Sequence, residues 1–196
     1  MNSKTGTAPL IIGIGGTTRP NSTSERTLAK ALEAAETLGA RTKLFGGILL
    51  SKIPIYDPAT ADNCGELQEL LDGVRQADGV LIATPGYHGS VSGVVKNALD
   101  ALEGLRSDER PYFDGRAVGC IVTADGWQAG GTTLSSLRTI IHALRGWPTP
   151  LGVTFNPTAS PLFDEAGNLR EERDANMLAM LAGQVVEFAR MRAALG

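Results

Sequence analysis

The sequence predicts a doubly wound α/β fold, with helices covering both faces of a parallel sheet. Short apolar runs of the kind buried on both faces, such as Leu10–Ile14, Asp78–Thr84 and Ala117–Thr123, alternate with amphipathic helical patterns. Each of these runs ends in a loop rich in glycine and hydroxyl residues. Sheets of this type bind ligands outside the carboxyl ends of their strands, so the loops are the first place to look for function.

The elements follow in order. Leu10–Ile14 enters Gly15-Gly16-Thr17-Thr18-Arg19-Pro20-Asn21-Ser22-Thr23-Ser24, and a helix begins near Ser24. Leu28, Ala31, Leu32, Ala35 and Leu38 recur at helical spacing and Gly39 supplies the stop, which predicts a helix over residues 24–38. Arg41–Phe45 is a second strand. The loop after it, with Pro54, Tyr56, Asp57 and Pro58, is too long and proline-interrupted for a turn and suits a cover over a ligand or another subunit. Leu67, Leu70, Leu71 and Val74 mark a helix before the third strand, and Val94, Val95, Ala98, Leu99 and Leu102 mark another after it. The fourth strand runs into a glycine-rich loop, Ala124–Gly131. Leu134, Leu137, Ile141 and Leu144 form the next helix, stopped by Gly146. Leu151–Phe155 is a fifth strand whose start is broken by Pro148 and Pro150. A polar hairpin-like stretch over Asp164–Asn168 precedes a closing helix with Met177, Leu178, Leu181, Val185 and Phe188 inward.

The first loop has the chemistry of an anion site. Backbone N–H groups at a helix start, the helix dipole and a guanidinium all favour phosphate, and short side chains let it approach. A strand-to-helix turn that merely needs glycine is the alternative reading. A nucleoside-triphosphate P-loop is excluded, because no Lys lies between Lys4 and Lys30. A dinucleotide fingerprint starting at Gly13 fails at Thr18, and the second strand ends in Leu44-Phe45-Gly46-Gly47 where an acidic ribose ligand belongs. A loop of hydroxyls plus one Arg suits a terminal phosphomonoester. Ser22 and Glu25 also have capping-box spacing, so an N-cap competes for the same hydroxyl.

Composition narrows the class further. The chain has 196 residues, suited to one domain, a net charge of −3 and a pI near 5.4, so no general basic field favours nucleic acid or anionic membrane. Residues 1–9, polar and small, are expected to be flexible, and without a basic n-region or long apolar run a signal peptide or membrane span is not expected. A cytoplasmic location is therefore expected. Cys64 and Cys120 stand far apart without nearby His, which disfavours a metal or dithiol site and leaves Cys120 as inert packing in a strand.

Two stretches carry a family resemblance: Gly16-Thr17-Thr18-Arg19-Pro20-Asn21-Ser22, and Thr84-Pro85-Gly86-Tyr87-His88-Gly89-Ser90 continuing through Lys96-Asn97-Ala98-Leu99-Asp100. Together they resemble the NAD(P)H-dependent FMN reductases, flavodoxin-like proteins, over about residues 10 to 190. The resemblance implies a three-layer sandwich with a five-stranded parallel sheet in the order 2-1-3-4-5. It also implies hydride transfer from NAD(P)H to FMN and, in many members, supply of reduced flavin to a partner monooxygenase. It assigns Thr17, Arg19, Ser22, Thr23 and Ser24 to the FMN phosphate, and Pro85, Gly86, Tyr87, His88, Gly89 and Ser90 to the isoalloxazine edge. Asp125 and Gly126, with the loop to Gly131, would complete the pocket. Relatives often carry a carboxylate and an amide where Gly86 and His88 stand. A homodimer or homotetramer with flavin near the subunit boundary is implied as well.

Read as chemistry, hydride transfer between two cofactors needs stacking distance and access rather than a nucleophile and base. The loops accordingly show no catalytic pair: His88 has no Ser or Cys partner, and Ser90 lies outside a Gly-x-Ser-x-Gly elbow. His88 reads equally as a flavin contact or a plain loop residue, and His142 as structural. Trp127 reads as a ring-stacking group or interface packing, and Asp125 as a turn cap or a ribityl contact. Two rival functions remain: an FMN-containing reductase of quinones, azo dyes or metal oxyanions, and a flavin-binding protein without turnover.

Overall fold

A computed structural model describes residues 8–58 and 64–195. Its strands are β1 (Leu10–Gly15), β2 (Arg41–Phe45), β3 (Gly79–Pro85), β4 (Ala117–Thr123) and β5 (Trp147–Phe155). They form one parallel sheet in the order β2-β1-β3-β4-β5. The expected order holds, and the direction of winding reverses between β1 and β3. β3 and β4 are buried along their whole length, which is why they read as unbroken apolar runs.

The helices are α1 (Thr23–Thr37), α2 (Gly47–Leu50), α3 (Gly65–Gln76), α4 (Gly93–Ala101), α5 (Trp127–Ala143) and α6 (Glu172–Leu195). Side chains alternate across the sheet, and the two faces have separate cores. Ile11, Leu81 and Ile121 pack with Leu28 and Leu32 of α1 and with Leu181 and Val185 of α6. On the other face Ile12, Ile14, Val80 and Ile82 pack with Leu70 and Val74 of α3, Leu99 of α4 and Ile141 of α5. Each such buried side chain is worth about 1.5–3 kcal/mol relative to exposure. Three layers result.

Four boundaries differ from expectation. The Ala124–Gly131 loop is mostly helix: α5 begins at Trp127, and Gly130 and Gly131 lie within it, packing and backbone bonds outweighing the weak propensity of paired glycines. β5 begins at Trp147, four residues early, because it is an edge strand and Pro148 and Pro150 tolerate such a position. Asp78 precedes β3 and instead accepts from the Leu10 N–H through its carboxylate at 2.8 Å. The one-turn helix α2 occupies part of the expected long loop and buries Leu50. The Asp164–Asn168 stretch does turn back on itself, with Phe163 bridging Leu169. Of the expected flexible start, residues 1–7 lie outside the described residues, while the carbonyls of Ala8 and Pro9 both accept from Arg41.

Candidate functional site

The carboxyl ends of β1, β3 and β4 meet at the reversal of winding, and two adjoining cavities open there. One, of about 270 Å³, is lined by Thr17, Arg19, Ser22, Thr23 and Ser24 from the first loop, by Pro85, Gly86, Tyr87, His88 and Gly89 from the second, and by Asp125 from the third. Its wall also includes Thr123, Ala124, Ala129 and Pro157. The other, of about 310 Å³, shares Thr17, Arg19 and Tyr87 and extends to Thr18, Ser92, Gly93 and Val94 at the start of α4. Ser90 and Gly126 line neither cavity. Ser90 closes a hairpin with Tyr87, and Gly126 precedes α5 at φ 118°.

The first loop is built by local hydrogen bonding. The buried Ser22 hydroxyl caps α1, accepting from the Glu25 N–H at 3.4 Å, and lies 3.3 Å from the Ser24 hydroxyl. Ser22 thus caps the helix and is also one of the residues that line the cavity. The Thr17 hydroxyl accepts from the Arg19 N–H at 3.1 Å. Among the described residues the Arg19 guanidinium forms no hydrogen bond or ion pair, and its side chain stands exposed over the cavity.

The second loop is a two-residue hairpin. Tyr87 and Ser90 exchange both backbone bonds, at 3.0 and 3.1 Å, with His88 at φ 53° and Gly89 at φ 79° between them. Two successive positive φ values mark a type I′ turn, which matches the twist of paired strands. Thr84 anchors its base by accepting from the Ser92 N–H at 3.0 Å, and Ser92 in turn caps α4. The third loop holds Asp125, whose carboxylate accepts from the Thr158 hydroxyl.

This donor set fits a phosphomonoester. Four hydroxyl side chains of the first loop, the start of a helix and an unspent guanidinium face one space, and the one carboxylate among the described residues of its wall is already engaged by Thr158. The family model for NADPH-dependent FMN reductases matches residues 9–159, which covers both cavities. The chain belongs to that family. It is accordingly an NAD(P)H-dependent oxidoreductase, with FMN as the flavin expected in the crevice.

Its relatives include an FMN-dependent NADPH-azoreductase of Staphylococcus saprophyticus, 31% identical over 149 residues that cover 72% of this chain and 76% of that protein. An azoreductase of the same name from Staphylococcus aureus is 29% identical over 123 residues, 62% of each chain. Among solved structures, the flavoenzyme NAD(P)H:(acceptor) oxidoreductase FerB of Paracoccus denitrificans superposes with a TM-score of 0.77. At 19% identity over 94% of this chain and 99% of that one, it shows the shared fold.

Eleven of the thirteen residues singled out from the sequence line one cavity. Pro157, beyond β5, had no sequence signal, because only the sheet order brings the end of β5 beside β4. Ala124 and Ala129 contribute small walls without a polar group to mark them. Away from the site, burial pushes the Cys120 thiol up to about 12, as expected of an inert packing residue. No described helix is long and apolar enough to cross a membrane.

Proposed function

We propose that the reductase holds FMN in the crevice between the loops after β1, β3 and β4 and passes electrons from NAD(P)H to an organic acceptor of the azo or quinone class. The observation that carries this is the convergence of Thr17, Arg19, Ser22, Thr23 and Ser24 with Pro85–Gly89 around one cavity. The hydroxyls and the Arg19 guanidinium would hold the phosphate, each bond to the charged group being stronger than a neutral one. The hairpin of Tyr87–Ser90 would present backbone donors to the ring, its two positive-φ residues fixing their direction. When bound, FMN supplies the hydride-accepting ring system. Tyr87, 54% exposed, on the loop after β3, and Trp127, 68% exposed, at the start of α5, offer aromatic surface to a planar acceptor.

The names of the azoreductase relatives support this acceptor class. The second reading, in which FMN itself is the departing substrate, is supported by the family's description as FMN reductases; a monooxygenase would then receive the reduced flavin. A homo-oligomer with copies meeting near the crevice and a cytoplasmic location accompany either reading.

The deciding experiment is exhaustive dialysis followed by NADPH and NADH oxidation assays with an azo dye, with and without added FMN. Flavin absorbance that survives dialysis, with dye bleaching that needs no added FMN, supports the first reading. A rate that appears only with added FMN supports the supplier. Absence of oxidation under every condition overturns both and favours binding without turnover.

A further inference from the structure

We infer that Glu25 is a positioning residue for the anion loop: its carboxylate clamps the backbone of Gly47, and Gly47 in turn braces Thr17 and Arg19. The half-buried Glu25 lies in the first turn of α1, where capping-box spacing would send its carboxylate back to the cap residue. It goes elsewhere. Its Oε2 accepts from the Gly47 N–H at 2.7 Å, across 22 residues, a charge-assisted bond between the first turn of α1 and the start of α2.

The surrounding glycines make room for this bond. A Cβ at Gly16 would stand 2.8 Å from the Glu25 Oε2, and one at Gly46 2.9 Å from the same atom. A Cβ at Gly47 would lie 1.8 Å from the Thr17 carbonyl oxygen, so the Gly47 and Thr17 backbones are in direct contact. Thr17 then accepts the Arg19 N–H through its hydroxyl at 3.1 Å. A continuous relay therefore runs from Glu25 through Gly47 and Thr17 to Arg19. Thr17 and Arg19 line both cavities, whereas Glu25 lines neither, so the acid acts behind the loop without presenting its charge to a bound phosphate.

The relay also accounts for Gly46-Gly47 at the end of β2, where dinucleotide-binding folds carry an acidic ribose ligand. Here the acid comes from α1 and turns toward the backbone, and the space beside Gly16 is filled by protein. The loop is thus preorganised for a terminal phosphate, which saves ordering cost on binding.

The inference rests on the phosphate reading for its binding arm alone. In flavin-free protein, Glu25→Ala is expected to speed hydrogen exchange at both the Gly47 and Arg19 amides by about tenfold or more, with Glu25→Gln close to wild type because its amide oxygen still accepts. In flavin titrations, Glu25→Ala is expected to raise the FMN Kd about tenfold and leave riboflavin, which lacks the phosphate, within about twofold. Glu25→Gln should recover most of the FMN affinity. Faster exchange at Gly47 with Arg19 unchanged would overturn the relay, as would equal weakening of FMN and riboflavin. A wild-type protein that binds neither flavin would overturn the flavin reading instead, and the exchange measurements would still decide the clamp.

Discussion

The Asn97 side-chain amide donates to the Pro54 carbonyl at 2.9 Å, joining α4 to a loop 43 residues earlier. The same amide group reaches the Ile53 carbonyl at 3.2 Å, and the amide oxygen accepts from the Tyr56 N–H at 2.8 Å. One largely buried side chain thus fastens the loop that carries Ile55, 84% exposed. Its neighbours in the Lys-Asn-Ala-Leu-Asp stretch have a different task, Lys96 and Asp100 pairing on the helix surface at 2.8 Å. Asn97→Ala leaves three backbone groups without their partner and is expected to cost about 2 kcal/mol or more. Limited proteolysis should then cut first between residues 51 and 58, whereas Lys96→Ala should change stability by less than about 0.5 kcal/mol.

The turn His88-Gly89 offers a second test. His, like Asn and Asp, enters the left-handed region more readily than other side chains, and β-branched residues enter it at a high cost. His88→Asn is expected to leave thermal stability nearly unchanged, and His88→Val to lower it by about 1–2 kcal/mol. The same pair separates turn from contact. Loss of flavin affinity in His88→Asn with unchanged stability would show that the imidazole itself meets the ring, and retained affinity would assign His88 to the turn alone.

Arg19 separates binding from folding. Its guanidinium makes no ion pair or hydrogen bond among the described residues, so Arg19→Ala should leave the melting temperature of flavin-free protein unchanged. Loss of a charge-assisted contact with phosphate should weaken FMN by about tenfold to a hundredfold. Fluorescence titration with FMN and riboflavin checks it: equal affinities of variant and wild type for FMN would remove Arg19 from the phosphate site.

The two cysteines should differ in reactivity. Cys120 is buried in β4, and burial pushes its thiol up from 9.0 to about 12, so native protein should take up iodoacetamide at the partly exposed Cys64 and not at Cys120. The sign of the pH effect follows from linkage. The folded state holds the Cys120 proton more tightly than the unfolded state, so this contribution is fully present below about pH 9 and is lost as pH rises toward about 12. Urea melts at pH 8 and pH 10.5 should show wild type losing more stability over that interval than Cys120→Ala. Equal losses would remove the thiol as the cause.

The parallel sheet and the three loops at its carboxyl ends were legible because apolar runs and glycine-hydroxyl clusters report burial and backbone demands directly, whereas the order of the strands came from the family resemblance. The start of α5 was not. Trp127-Gln128-Ala129-Gly130-Gly131 has poor helical propensity, and its helical state depends on tertiary partners such as Thr154, which packs against Gly130. Glu25 was legible as a capping residue but its partner was not, since nothing local announces that the loop after β2 passes within reach. Contacts set by sheet order escape a reading based on spacing along the chain.

Arg116 is the extreme case of such a contact. Immediately before β4, it is fully buried. Its Nε donates to the Ala77 carbonyl at 2.9 Å, Nη1 to Tyr112 and Asp114 at 3.1 and 3.3 Å, and Nη2 to Arg75 at 3.0 Å. The carbonyls of Arg75 and Ala77 lie at the carboxyl end of α3, where the helix dipole favours a cation. Burial, aided by repulsion from Arg110, lowers the guanidinium to about 10, still charged at neutral pH. Arg116→Met fills the space but strands four carbonyls, and should cost about 3 kcal/mol or more. Arg116→Lys keeps the charge with a single donor nitrogen and should fall between. Both substitutions lie at the start of β4, away from the loops at the strand ends, so residual folded protein should keep its wild-type FMN affinity. A drop in melting temperature on the order of 10 °C with unchanged Kd would establish Arg116 as the tie between α3 and β4, and a weakened Kd in stable protein would reject that assignment.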